Sequence, residues 1–198
     1  MSSLTSELQA VNVMLGYLGE QPTTSITGSS LPLTVTQAVS ILDEVSKEIQ
    51  AEGWFFNREK DVVFTPDSGD STITLDNDVL SCDSIDGHKD QVVVRGLKLY
   101  DLKNNTYEFT SDVKVELVRF LAWDYLPEAA RRYISIRASR VYQSRMLGSR
   151  ELESLILRDE LLSKSRLTAM DAETSDRTIF DNYDTAARIG INRNYNIS

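Results

Sequence analysis

The strongest constraint in this sequence is a change of hydrophobic period, made twice. Leu4, Leu8, Val11, Leu15 and Leu18 recur at alternating steps of four and three, which marks one apolar helical face. Ala38, Ile41, Leu42, Val45 and Ile49 repeat the pattern. From about Arg58 the period falls to two. Ile73 and Leu75 alternate with Thr72 and Thr74, Leu97 and Leu99 with Lys98 and Tyr100, and Val113, Val115 and Leu117 with Lys114 and Glu116. After Pro127 the helical period returns in Ala130, Ile134, Ala138 and Val141. It continues in Leu152, Leu155, Ile156, Leu162 and Leu167, with Leu157 and Leu161 widening the stripe. Two helices, a run of short strands and two more helices do not make alternating βαβ units. They predict an α+β fold: a four-helix bundle with an antiparallel β insertion, a meander or partial barrel.

Local signals place the boundaries. Gly16, Gly19 and Pro22 end the first helix, and residues 23–33 read as a polar loop. Thr34 with Gln37 has capping-box register for the second helix, and Gly53 is placed to close it. Trp54, Phe55 and Phe56 then fill the seam below. Gly148 breaks the third helix, and Ser149 caps a fourth that runs to about Asp171. The expected domains are residues 1–57 with 120–172 for the bundle, 58–119 for the β insertion, and 173–198 for an extended C-terminal docking segment. That last stretch shows no periodicity. Its Ile179, Phe180, Tyr183, Ile189, Ile191, Tyr195 and Ile197 make it too apolar for a solvated tail, so it reads as a segment that orders against a partner.

The residue inventory narrows the chemistry. A chain of 198 residues, 41% apolar and 26% charged, has enough material for a sizeable core. No apolar run approaches the roughly 18 residues of a membrane span. The first residues, Met1 to Glu7, lack the basic and apolar regions of a secretory signal. The single cysteine, Cys82, forms no internal disulfide and builds no thiolate cage, and the single histidine, His88, leaves multi-histidine metal sites and His-dependent triads without support. Cys82 reads as a small strand hydrophobe and His88 as an exposed turn residue. No G-x-G-x-x-G, G-x-x-x-x-G-K-[ST] or G-x-S-x-G occurs. Asp76, Asp78, Asp83, Asp86 and Asp90 read either as solvated turn acids or as a carboxylate pair, and they lack the register of a calcium loop. The expectation is a non-enzyme with no cofactor, metal or catalytic residue. The alternative is an enzyme, a polysaccharide or peptidoglycan hydrolase using carboxylates of the β region.

Charge is split along the chain. The formal net charge is −9, but residues 1–120 hold nine Lys and Arg against nineteen Asp and Glu, a net of −10. Between Glu128 and Arg150 stand six arginines and no lysine, against the one acid Glu128. Arg131, Arg132, Arg137, Arg140 and Arg145 read either as a solvated helix face or as an interface. Guanidinium suits interfaces because its fork matches carboxylates in partly buried pairs. With Ile179, Phe180, Tyr183 and Tyr195 they are the candidate interface residues. A free nucleic-acid-binding module would need the arginine strip exposed to duplex, and the acidic remainder counts against it.

Several ordered segments carry a resemblance. Ala10-Val11-Asn12-x-x-Leu15-x-x-Leu18-Gly19-Glu20-x-Pro22 and Glu52-Gly53-Trp54-x-Phe56-Asn57 are similar to the N-terminal helical pair of the tail tubular protein A family of short-tailed, podovirus-type bacteriophages. So are Pro127-Glu128, Arg132-Tyr133-Ile134, Ala138-Ser139-Arg140, and the β run Val92–Leu117 with Arg95-Gly96 and Tyr100-Asp101. The resemblance covers about residues 7–170 and is loose beyond Asp171. It implies a structural virion protein, a gatekeeper-type head-to-tail adaptor assembled in the host cytoplasm. It also implies a ring of twelve subunits between the portal protein and the tail nozzle (tail tubular protein B). Such a ring surrounds the channel through which phage DNA is ejected, without binding it specifically, and tail fibres attach nearby. No membrane-spanning segment and no active site come with the family.

Overall fold

A computed structural model describes residues 4–85 and 92–181, with side chains through Thr174. Among the described residues the elements run α1 (Glu7–Tyr17), α2 (Leu33–Gln50), β1 (Arg58–Phe64), β2 (Val79–Ser84), β3 (Val92–Arg95), β4 (Lys98–Asp101), β5 (Val113–Arg119), α3 (Glu128–Met146) and α4 (Arg150–Asp181), with a 3₁₀ turn at Trp123–Tyr125 before α3. Helices enclose antiparallel strands in chain order, so the α+β reading holds.

The capping box lies on α1. Ser6 accepts from the Gln9 N–H at 3.2 Å, while Gln9 returns its side chain to the Ser6 N–H at 2.8 Å. On α2 the expected box at Thr34 and Gln37 is absent. The helix begins at Leu33 with Pro32 as its cap, because proline arrives with φ near the helical value and has no N–H to satisfy. Gly53 sits at φ +72°, and a Cβ there would stand 2.9 Å from Cγ2 of Val118, so the turn out of α2 requires glycine.

The helices gather on α3, which packs against α1, α2 and α4. Their core holds Val11, Met14, Leu15, Leu42, Ile49, Ile134, Tyr142 and Leu167, each at most 2% exposed. α4 differs from expectation in two ways. It continues to Asp181, about ten residues beyond Asp171, because nothing between contains a Gly or Pro to stop it. Residues 173–181 are therefore helical rather than extended. It also buries only a narrow seam, Ile156, Glu160, Ser163 and Leu167, at steps of four, three and four. Leu155, Leu157, Leu161 and Leu162 are left 66, 41, 61 and 55% exposed instead of packed. One neighbouring helix consumes one stripe and no more.

The β insertion has its own core of Ile73, Leu75, Cys82, Val92, Leu99, Phe109, Val113, Val115 and Leu117. Its inward alternation matches the sequence at Ile73, Leu75, Leu99, Val113, Val115 and Leu117, while Leu97 is exposed in the turn between β3 and β4. Its order is not that of a meander. β5 lies between β1 and β2, and β3 with β4 forms a separate hairpin. Residues 72–74 and 106–108 contribute only isolated bridges, Thr72 to Glu108, Thr74 to Lys98 and Asp101 to Thr106.

Two buried amides join the helices to the insertion where the chain leaves and returns. Asn57 donates from Nδ2 to the carbonyls of Gln50 and Arg119, both at 2.8 Å, and accepts from the Trp54 N–H at 2.8 Å. Gln50 holds both backbone groups of Leu121. The Phe55 N–H donates to Oδ1 of Asp171 at 2.7 Å, which ties the aromatic turn to α4.

Candidate interaction surface

The six arginines between Glu128 and Arg150 share a run of sequence but not a direction. A helix turns about 100° per residue, so successive arginines meet different neighbours. Arg131 is 3% exposed and lies against its own chain. It donates to the carbonyls of Leu126, Thr5 and Asp124 at 2.8, 2.9 and 2.9 Å, binding the α3 entry to the N-terminal segment. Glu128 completes that corner by accepting from the N–H and hydroxyl of Thr5 at 2.8 and 2.6 Å.

Arg137 and Arg140, three apart and so on one face, converge on Glu160 of α4. Arg137 also reaches Glu48 of α2 at 3.2 Å, and Arg140 reaches Glu153 at 3.6 Å. Burial is the largest influence on the Glu160 carboxyl and pushes it above the usual glutamate range, against the pull of Arg137 and Lys164. Arg145 makes a two-pronged pair with Glu44 at 2.7 Å, well exposed on both sides and screened by solvent. Arg132 is exposed and makes no salt bridge among the described residues. The acid-rich first part of the sequence does supply partners for the strip, through Glu44 and Glu48, but it supplies them within one chain.

The remaining candidates fall as follows. Ile179 and Phe180 belong to the last turns of α4. Tyr183, Ile189, Ile191, Tyr195 and Ile197 lie outside the described residues, as do Asp86, His88 and Asp90. Asp76 and Asp78 converge on Arg119 at 3.1 and 2.8 Å, with Glu59 on the same guanidinium at 3.0 Å. Burial opposes the charge of Arg119, but the hydrogen bonds to Glu59 and Asp76 and the charges of Glu59 and Asp78 outweigh it and raise its pKa. These acids brace β1, the turn before β2 and the end of β5. Asp83 is exposed on β2. Cys82 is buried, and burial, with Asp83 beside it, pushes its thiol up to about 12, which leaves it protonated and inert. Among the described residues no cluster of His, Cys, Asp and Glu is fit to hold a metal ion, and no helix is long and apolar enough to cross a membrane.

The sequence reading missed Glu160 and the outward leucines. Glu160 had a visible signal, since it falls in step with Ile156, Ser163 and Leu167 along a buried seam. Four exposed leucines lie within two turns of one helix, Leu155 with Leu162 and Leu157 with Leu161 on opposite flanks of the buried seam, and uncovered apolar surface of this kind marks a contact surface.

Residues 8–177 match the family model described as tail tubular protein, a span that takes in the whole β insertion and nearly all of the four helices. No curated protein matches the chain.

Proposed function

This chain belongs to the tail tubular protein family and is a structural component of a phage tail; we propose that in this role it is a head-to-tail adaptor. Its copies form a ring, of twelve subunits as the resemblance implies, between the portal protein and the nozzle. DNA passes through the ring, and tail fibres attach nearby.

The observation that supports this reading is the outer face of α4. The folded chain already satisfies Arg131, Arg137 and Arg140 within itself, yet leaves Leu155, Leu157, Leu161 and Leu162 uncovered. A folded subunit that keeps such a face outward is built to be covered in an assembly. The acidic residues 1–120 suit the channel side, since a surface without strong phosphate contacts lets a polyanion slide. A hydrolase is not favoured, because Asp76 and Asp78 are both bound to Arg119.

The test is sedimentation of the purified chain with portal protein. The adaptor reading expects one stable complex containing both. A chain that sediments apart from portal at every concentration would overturn it.

A further inference from the structure

The outer face of α4 carries charge as well as leucine. Between residues 154 and 170 its exposed cations Arg158 and Arg166 make no salt bridge among the described residues. Of the acids in that stretch, Glu160 is buried against Arg137 and Arg140, and Asp159 is exposed and accepts from the Tyr17 hydroxyl at 3.2 Å. The outward surface thus carries four leucines and two arginines outside any salt bridge among the described residues, against the one exposed carboxylate of Asp159.

The β insertion has the opposite character. A hollow of about 450 Å³ is lined by Asp67, Glu108 and Asp112 around Phe109, with no cation among its lining residues. Those three acids make no salt bridge among the described residues.

We infer that the outer face of α4 is the contact between copies of this chain, its leucines covered and its Arg158 and Arg166 paired by the acidic hollow of the neighbouring copy's β insertion. A parallel pairing of α4 with itself sets each arginine against its own counterpart, like charge against like, whereas the hollow offers Arg158 and Arg166 carboxylates that make no salt bridge among the described residues. A face that fits a different patch on the next copy makes a head-to-tail contact, and such contacts close into rings when the rotation permits. The inference rests on the ring reading above and adds the surface, the partner and the polarity of the contact.

The experiment is sedimentation of full-length chains, with and without portal protein. All positions to be changed are exposed, so the variants should keep the parent's circular dichroism and melting. Arg158→Glu with Arg166→Glu should raise the concentration needed for assembly by roughly tenfold or more, and Glu108→Arg with Asp112→Arg should do the same. The chain carrying all four changes should assemble again, and a mixture of the two double variants should also assemble, because each then offers what the other needs. Leu161→Glu should weaken assembly without any change of arginine. Wild-type assembly in the Arg158/Arg166 variant overturns this interface while leaving the adaptor reading intact. Failure of the fourfold variant to recover overturns the acidic hollow as the receiving surface. A parent chain that stays monomeric even with portal overturns the ring reading itself, and this contact with it.

Discussion

The carboxamide of Gln50 holds both backbone polar groups of Leu121, accepting from its N–H at 2.7 Å and donating to its carbonyl at 3.0 Å. Seventy-one positions separate the two residues, and the whole β insertion lies between them. Gln50 itself is fully buried. With Asn57 it makes the exit and the return of the chain one hydrogen-bonded joint, so the helical core and the β core are coupled through backbone rather than through loose linkers.

Removing that joint should uncouple them. Gln50→Leu keeps the volume but strands the N–H and carbonyl of Leu121, a loss of about 2–3 kcal/mol. Asn57→Ala strands the Trp54 N–H and two carbonyls and should cost at least as much. Chemical denaturation followed separately by tryptophan fluorescence and by far-UV dichroism should give coincident transitions for the parent and divergent ones for Asn57→Ala.

The arginine strip should divide by direction, not by charge. Arg131→Met removes the donors that three backbone carbonyls depend on and should lower stability by about 2–4 kcal/mol. Arg132→Glu, one position away and exposed, should leave thermal unfolding almost unchanged. Equal losses in the two variants would show that the direction of the side chains does not govern their roles.

Arg140→Ala leaves Glu160 with Arg137 as its remaining hydrogen-bonded cation and should cost about 1.5–3 kcal/mol at neutral pH. The pH dependence has a definite sign. Burial already raises the Glu160 pKa in the folded chain, and losing Arg140 raises it further, so the variant carries an ionisation penalty above that folded pKa. The penalty shrinks as pH falls through the folded pKa, and it vanishes below the unfolded glutamate value. Urea midpoints of parent and variant should therefore converge on acidification from pH 7 towards about pH 4.5. A difference that widens instead would contradict the assignment.

Truncation after Thr174 keeps Asp171, which anchors the Phe55 N–H, and keeps the buried seam that ends at Leu167. It should leave folding intact while weakening docking to portal by roughly tenfold or more, since the removed residues carry Ile179, Phe180, Tyr183 and Tyr195. A shortened chain that melts early would instead place those residues in the folded core.

Much of the architecture was legible because burial imposes a period. The helical stripe through Val11 and Leu15 and the strand alternation through Val113, Val115 and Leu117 point inward as the spacing requires. Strand order was not legible, since the pairing of β5 with both β1 and β2 joins residues up to sixty positions apart and leaves no local trace. The stripe on α4 was over-read for a related reason. Periodicity reports which residues are apolar, not how many neighbours a helix has, and α4 packs chiefly along one seam. The arginine count was likewise visible, but three of Arg131's partners are carbonyls, and a carbonyl has no signature in sequence. Glu44 and Glu48 were counted among the acids without any sign that α2 would bring them beside α3.

The central claim is that this tail tubular protein assembles as a ring on the portal, and direct imaging of the two full-length proteins mixed together tests it most plainly. The account predicts a closed ring of fixed subunit number, twelve, stacked coaxially on the portal around an open channel. Portal particles that remain bare, with the chain dispersed as monomers around them, would contradict it.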